Sequence, residues 1–237
     1  MSVSTRHSIQ WADGEECEPT ITVVITSPNG LFVDVRELKT GGFDWFFAGH
    51  EIEHESRHES KQVIEFNHDF LDSQFIRTGQ KPSVDLGEFS DSSNETERMN
   101  GIRIEKGKMA NPANGDVQEY KEKWITCDPL CGDLVYIGKD YGANEVDFVV
   151  LETIEGSIVD NKSVHVGRIV KYGHWIQGVY YDKTNKSEGV IRKFKDKDLI
   201  LHGPKSIWPE LNGDTSLFKL HDEIEMNGVI WRVVETR

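Results

Sequence analysis

The stretch FFAGHEIEHESRHES, residues 46–60, decides the fold, because it fits either a helix with a zinc-peptidase motif or a β-strand. His50, Glu51 and His54 form the H-E-x-x-H pattern, in which two histidines one helical turn apart bind zinc and the glutamate activates water. A buried catalytic helix needs apolar residues on its other faces, yet only Ile52 is apolar in the ten residues after His50. The helix, and with it a peptidase, is therefore disfavoured.

The same stretch alternates with a period of two, as side chains do along a β-strand. On a helix, His58 would lie about 12 Å from the first histidine, too far to share one metal ion. We predict a strand leaving a hairpin, with its charged face in solvent and no metal site, although a histidine pair on such a strand could bind zinc adventitiously. One face carries His50, Ile52, His54, Ser56 and His58, and the other carries Glu51, Glu53, Glu55, Arg57 and Glu59.

Strand signals recur along the whole chain, from TITVVITS (20–27) and LFVDVREL (31–38) to EGVIRKF and DEIEMNGVIWRVVE in the second half. β-Branched and aromatic residues dominate these segments, and Asn, Gly and Pro mark the turns between them. No segment carries a helical apolar stripe across three turns. The sequence therefore predicts an all-β protein of many short strands, as in barrels and sandwiches.

The segment CDPLCGD, residues 127–133, separates two strand-rich blocks. Each block contains a Trp–Gly segment, WFFAG or WIQG, and each ends on a hairpin with an Asn-Gly turn. Such an echo indicates a duplicated barrel, although β sequences share a small vocabulary and can resemble each other by chance. We predict two tandem antiparallel β-barrels, residues 1–129 and 130–237, packed against each other.

One long polar segment, residues 77–101, interrupts the first block. Its Ser, Asp, Glu and Gly content predicts a mobile surface loop. Ser90, Ser92, Ser93 and Thr96 stand among carboxylates there, which is the setting that acid-directed kinases use. The segment is thus either a solvated linker or a phosphorylated regulatory site.

The charge balance argues against several partners. Asp and Glu number 41 against 27 Lys and Arg, a formal net charge of −14 that repels phosphate backbones and anionic lipids. No apolar run is long enough for a membrane span, and the N-terminus lacks the apolar core of a signal peptide. We therefore expect no nucleic acid, no membrane insertion and an intracellular location.

The chain shows no recognisable cofactor or catalytic motif. It has no phosphate-binding P-loop and no G-x-S-x-G nucleophile elbow. The three cysteines are an odd number, which favours reduced thiols, and Cys127 and Cys131 lack the spacing of a structural zinc site. We assign no catalytic residue, cofactor or metal.

Aromatic residues of the barrel strands are candidates for lining a cavity. Trp45 and Phe47 lie in the first block, and Trp175 and Tyr180 lie in the most aromatic segment of the second, YGHWIQGVYY (172–181). Barrels of about eight strands either enclose one small ligand or are filled by their own side chains. The same aromatic residues could therefore simply fill the core.

Several blocks in order resemble a known family: EPTITVVITSPNGLFVDVRELK, FDWFFAG, NHDFLDSQ, EKGKMANPANGDVQEYKEKW, GHWIQGV and NGVIWRVVE. The family is a fungal one, named for interaction with a casein kinase I-type kinase, and the resemblance covers residues 8–235. It implies two lipocalin-like β-barrels in tandem and a cytoplasmic and nuclear location. It supplies no catalytic residues, and its molecular function is undefined.

These observations predict a non-enzymatic protein-interaction module. The acidic surface and residues 90–97 are the expected contact or phosphorylation points, a casein kinase I-type kinase is the expected partner, and a homodimer is compatible with the sequence. The alternative is a carrier or sensor of a small apolar ligand held inside one barrel.

Overall fold

The computed structural model describes residues 1–56, 61–80, 84–111, 114–136, 138, 141, 145–154, 164–211 and 215–237. Within these ranges the chain forms fifteen β-strands, two short α-helices and two 3-10 turns, which confirms the all-β prediction. No helix in the described part of the chain is long and apolar enough to cross a membrane.

The first eight strands form a closed barrel in which each strand pairs antiparallel with the next. The barrel closes where β1 pairs with β8, in a register that places Val3 opposite Cys127. One of the two predicted barrels is therefore confirmed. Its strands are β1 Ser2–Trp11, β2 Thr20–Thr26, β3 Leu31–Leu38, β4 Phe43–His54, β5 Gln62–Asp72, β6 Asp85–Asp91, β7 Ile102–Ala110 and β8 Val117–Cys127.

The H-E-x-x-H segment is confirmed as strand, because His50, Glu51 and His54 all lie in β4. Its Glu face was expected to lie in solvent, and this is wrong for Glu51, which lines the interior of the barrel. The strand pattern alone does not show which of the two faces is internal, because that depends on how the barrel closes. The predicted continuation through His58 lies outside the described residues.

The prediction of a mobile loop over residues 77–101 is also wrong. This segment contributes strand β6, which pairs with both β5 and β7, and helix α2 (Glu95–Met99), which begins at the capping residue Asn94. Helix α1 (Ser73–Thr78) precedes it. Strand β6 looks like a loop in the sequence because its inward residues Asp85 and Gly87 face a polar barrel interior, so no apolar alternation marks it.

The second half forms a seven-stranded antiparallel sheet in the order β13-β12-β11-β10-β9-β15-β14. Among the described residues, β13 and β14 are its edges, so a second closed barrel remains a prediction. Two 3-10 turns, Lys205–Ile207 and Thr215–Leu217, lie between β13 and β14. The strands are β9 Phe148–Thr153, β10 His165–Tyr172, β11 Trp175–Asp182, β12 Ser187–Phe194, β13 Lys197–His202, β14 Glu223–Met226 and β15 Val229–Thr236.

A continuous apolar cluster joins the barrel to the second sheet. It contains residues from the outside of the barrel and from one face of the sheet, and burial of this shared surface stabilises both. The barrel supplies Val3, Val23, Ile25, Val33, Val35, Phe46, Ala48 and Leu71, and the sheet supplies Phe148, Val150, Val170, Trp175, Val179 and Val190.

Polar side chains of the second sheet also bind the barrel backbone. Gln177 Nε2 donates to the carbonyl oxygens of Val23 (2.8 Å) and Val33 (2.9 Å). Arg192 donates to Val35 O at 2.9 Å and to Gln177 Oε1 at 2.7 Å. Because Gln177 is fully buried, these bonds fix the position of the sheet on the barrel.

Candidate ligand-binding site

The inside of the barrel is polar, because its inward strand positions carry charged residues while the outward positions carry the apolar ones. On β3, Asp34 and Arg36 point inward, whereas Val33 and Val35 point outward into the shared cluster. The alternation is the ordinary strand alternation. In a barrel with an apolar core the apolar side chains would point inward, whereas on β3 they point outward.

Asp34 and Arg36 form an ion pair at the centre of this interior. Both the Nε and the Nη2 atoms of Arg36 donate to Asp34 Oδ2, at 3.1 and 3.0 Å. The guanidinium lies 4.9 Å from the ring centroid of Trp45, a cation–π contact. Burial raises the pKa of Asp34, and its second oxygen, Oδ1, is buried without a hydrogen-bond partner among the described residues.

Arg6 forms a second buried ion pair, on β1. Its guanidinium donates to Glu122 at 2.6 Å and to Glu18 at 2.8 Å, and it also bonds Thr20 Oγ1 at 3.1 Å. Trp124 Nε1 donates to the other oxygen of Glu122 at 3.1 Å. The charge of Arg6 is therefore shared between two carboxylates.

Glu105 and Tyr120 form a buried pair on β7 and β8, in which the Tyr120 hydroxyl donates to Glu105 at 2.7 Å. Burial, reinforced by the nearby charge of Glu122, raises the pKa of Glu105 to about 8. Gly87 on β6 makes room for this carboxylate, since a Cβ there would lie within 2.4 Å of Glu105 Oε1. Burial likewise raises the pKa of Asp85.

These groups surround a cavity of about 290 Å³ inside the barrel. The lining includes half-exposed residues such as Met1 and Gln62 as well as the buried Asp85 and Glu105. Its charged lining residues are Asp34, Arg36, Glu51, Asp85, Arg103, Glu105 and Glu122, and its aromatic ones are Phe32, Phe47, Phe66, Phe89, Tyr120 and Trp124.

A buried histidine–carboxylate pair lies next to Trp45 and Phe47. His68 Nδ1 lies 2.5 Å from Asp72 Oδ2, and the His68 ring lies 5.2 Å from the Trp45 ring. Burial opposes ionisation of Asp72, but the hydrogen bond and charge of His68 lower its pKa. The other oxygen, Asp72 Oδ1, accepts bonds from the Gln74 and Phe75 amides and so caps helix α1.

The structure separates the four aromatic residues predicted to line a cavity. Phe47 lines the barrel cavity, and Trp45 packs beside it with ring centroids 4.2 Å apart. Trp175 and Tyr180 lie on opposite faces of β11 in the second sheet, so they cannot share one cavity. Trp175 belongs to the cluster shared with the barrel, and Tyr180 packs on Trp231.

The four predicted phosphorylation positions differ in accessibility. Ser90 is half-buried in β6, and Ser92 is buried, with its hydroxyl donating to Glu97 at 2.6 Å. Ser93 and Thr96 are exposed on either side of the helix cap Asn94. Two of the four side chains are thus exposed to solvent.

The H-E-x-x-H residues do not converge on one point. His50 Nε2 donates to Asn29 O at 3.0 Å on the outside of the barrel, and His54 Nε2 lies 2.8 Å from Glu65. Glu51 is on the opposite face, where it accepts a bond from Thr26 at 2.8 Å. In the described part of the chain, no group of three or more His, Cys, Asp or Glu side chains is arranged to hold a metal ion.

Sequence reasoning missed the charged barrel interior altogether. The signal was present in β3, where Asp34 and Arg36 alternate with Val33 and Val35. Such alternation is normally attributed to a solvent-exposed face, and only closure of the barrel shows that the face is internal.

Comparison with known proteins agrees with this architecture. The chain is similar over its whole length to the crystal structure of the uncharacterized protein YLR301w from Saccharomyces cerevisiae, with a TM-score of 0.79 and 20% sequence identity, covering 100% of this chain and 98% of that one. No curated protein sequence matches it. The model of the family described as Protein HRI1 matches residues 2–235. The chain therefore belongs to the Protein HRI1 family.

Proposed function

We propose that the barrel binds one small polar molecule and that the protein is a carrier or sensor of it rather than an enzyme. The observation that carries this proposal is the cavity of about 290 Å³ inside the closed barrel, lined by seven charged side chains. The aromatic residues in the sequence led us to expect an apolar ligand, and we now propose a polar one instead. An apolar molecule would strip water from these charged groups without replacing their hydrogen bonds.

The size of the cavity supports a single small ligand. Pockets for drug-sized molecules begin at about 300 Å³, so this cavity suits a molecule at the small end of that range. A barrel of eight strands is also the size that can hold one small ligand. The glycine at position 87, which leaves space beside Glu105, fits an interior built around polar groups.

Native mass spectrometry of the protein purified from the organism that encodes it tests this proposal. We expect the intact protein to carry one additional small mass. The variant Ile64→Phe, which enlarges a side chain lining the cavity, should lose that mass. The control Ile21→Phe enlarges an exposed residue, 42% accessible, and should keep it. No added mass in the wild type, or equal retention in both variants, would contradict ligand binding in the barrel.

A second candidate function is protein interaction controlled by phosphorylation, including association with a casein kinase I-type kinase in the cytoplasm or nucleus. The exposure of Ser93 and Thr96 favours it. A phosphate at Thr96, in the first turn of α2, would interact favourably with the helix N-terminus.

Substitution tests this second function better than deletion, because a deletion across residues 80–100 would remove barrel strand β6. We expect Ser93→Ala combined with Thr96→Ala to keep the fold and to weaken kinase capture in a pull-down. Ser92→Ala is the control at a buried hydroxyl of the same segment. Unchanged capture by the double variant would remove this segment from the interaction.

A further inference from the structure

We propose that the molecule held in the barrel is a small organic cation, an amine or a guanidinium compound. This inference rests on the proposed ligand-binding function and specifies its chemistry. It is drawn from the balance of charges in the cavity, from a buried carboxylate oxygen with no partner, and from the aromatic walls.

Carboxylates outnumber cations around the cavity. The lining contains five carboxylates and two arginines, and a third arginine, Arg6, lies directly behind Glu122. Crowding and burial disfavour the charged forms of these carboxyl groups, which raises the pKa of Asp85 and Glu105, and a bound cation would stabilise the charged forms. The carboxylates are those of Asp34, Glu51, Asp85, Glu105 and Glu122.

The arginines of the interior already have partners. Arg36 is paired with Asp34, and the charge of Arg6 is divided between Glu122 and Glu18. Among the described residues, neither Asp85 nor Glu105 has an ion-pair partner. These two carboxylates are therefore the ones available to a ligand cation.

The second lining arginine, Arg103, does not neutralise them. Arg103 stacks over the ring of Phe89 at 5.1 Å and donates to Gln62 Oε1 at 3.0 Å. It is half-exposed, whereas Asp85 and Glu105 are 9% and 4% accessible.

An independent observation points to a missing hydrogen-bond donor. Asp34 lines the cavity, is 3% accessible, and has one oxygen, Oδ1, without a hydrogen-bond partner among the described residues. Buried carboxylate oxygens are nearly always hydrogen-bonded, because leaving one unpaired is costly. An ammonium or guanidinium group offers several N–H donors and carries the charge that the other carboxylates favour.

The remaining wall of the cavity suits the same chemistry. The rings of Phe32, Phe47, Phe66 and Phe89 line it, and Phe66 contacts both Phe32 and Phe89 edge-on with ring centroids 6.1 Å apart. Aromatic faces attract organic cations, most strongly where water is excluded. A lining of carboxylates and phenyl rings favours an organic cation over an anion or a neutral sugar.

Isothermal titration calorimetry at constant ionic strength tests the inference with three probes of equal chain length: diaminobutane, butanediol and butanedioate. We expect measurable binding of the diamine and at least tenfold weaker binding of the diol and the diacid. Asp85→Asn and Glu105→Gln each replace an acidic group that has no ion-pair partner among the described residues with a neutral group of nearly the same shape, and each should weaken diamine binding about tenfold or more. Glu119→Gln, at an exposed carboxylate of β8, should leave it unchanged.

Circular dichroism of each variant separates loss of binding from loss of fold, and the two carboxylate variants provide independent tests. Absence of diamine binding, or equal diamine binding by both folded carboxylate variants and the wild type, would overturn the inference. A neutral or anionic molecule carried by the host-purified protein would also overturn it while leaving the proposed ligand-binding function intact. No carried molecule together with no probe binding would overturn both. Magnesium is a further probe. If magnesium bound more tightly than the diamine, that result would count against an organic cation.

Discussion

The inside of the barrel and the outer face of the second sheet, the face turned away from the barrel, contrast sharply in how they are filled. Inside the barrel, ion pairs such as Arg36–Asp34 leave a cavity of about 290 Å³. The outer face of the second sheet is packed with apolar and aromatic side chains, and Trp208 closes over Trp231 with ring centroids 5.8 Å apart. Both regions are enclosed by strands, but only the first is built from charged groups.

This contrast shows that a strand face can be buried without being apolar. The barrel gains its apolar burial on its outside, from the cluster it shares with the second sheet. Its inner face is thereby free to hold charged groups, provided that they pair with one another. The second sheet must bury both of its faces, one against the barrel and one beneath the segment that carries Ile207, Trp208 and Leu211.

The largest effect on stability is expected in the apolar outer face of the second sheet. Trp231 is fully buried and donates its indole N–H to Ile207 O at 2.8 Å. Trp231→Ala should lower the free energy of unfolding by about 3–5 kcal/mol, because it leaves a void among packed rings. Phe66→Ala, at the half-buried wall of the barrel cavity, should cost only about 1–2 kcal/mol. Urea denaturation measures both, and equal costs would mean that the barrel interior is packed as tightly as the outer face.

The next effect concerns the junction between the two regions. Gln177→Leu keeps the volume but removes both bonds to the barrel carbonyls and leaves Arg192 Nε without its acceptor. We expect a loss of about 2–3 kcal/mol in urea denaturation, the cost of unpaired buried polar groups. Gln10→Leu, which removes an exposed bond to Gly14 O, is the matched control and should change stability by less than about 0.5 kcal/mol. Similar small effects for both would show that the junction is held by apolar contacts alone.

The next effect is a dependence of stability on pH, which we expect from the polar interior of the barrel. The folded state raises the pKa of Glu105 to about 8, so it binds this proton more tightly than the unfolded chain does. The contribution of Glu105 to stability is therefore fully present below the unfolded pKa, near 4.5, and is lost as the pH rises through 8. Glu105→Gln should therefore become progressively more stable relative to the wild type as the pH rises from 5 to 8.

Thermal or urea unfolding across that pH range provides the measurement. Glu119→Gln, at an exposed position of the neighbouring strand β8, is the control and should run parallel to the wild type. Parallel curves for Glu105→Gln as well would show that this carboxyl group is ionised in the folded protein throughout the range.

The smallest effect is expected on the outside of the barrel, at the H-E-x-x-H strand. His54 forms a partly exposed pair with Glu65, so His54→Ala should change stability by no more than about 0.5 kcal/mol. Chelator treatment should leave the melting temperature unchanged, because the two histidines and Glu51 lie on opposite faces of β4. One equivalent of tightly bound zinc, lost in this variant, would contradict that assignment.

The amino-acid pattern alone was enough to predict local structure wherever a strand alternates regularly with a period of two. The period-two alternation of residues 46–54 was sufficient to identify β4, and the density of β-branched and aromatic residues was sufficient for the all-β class. Alternation depends only on the geometry of one strand, so no partner is needed to recognise it. The pattern failed at β6, where Asp85 and Gly87 occupy inward positions and removed the usual apolar signal.

Which face of each barrel strand became the interior follows from the closure of the barrel. In β3, the same alternation would fit a strand with Asp34 and Arg36 in solvent, and closure of the barrel placed them inside instead. The candidate site depends on this choice, since its residues come from strands far apart in sequence, such as Asp34 and Glu122. Their pairing follows from barrel closure and from the apolar cover that the second sheet supplies on the outside, and neither is encoded in any short stretch of the chain.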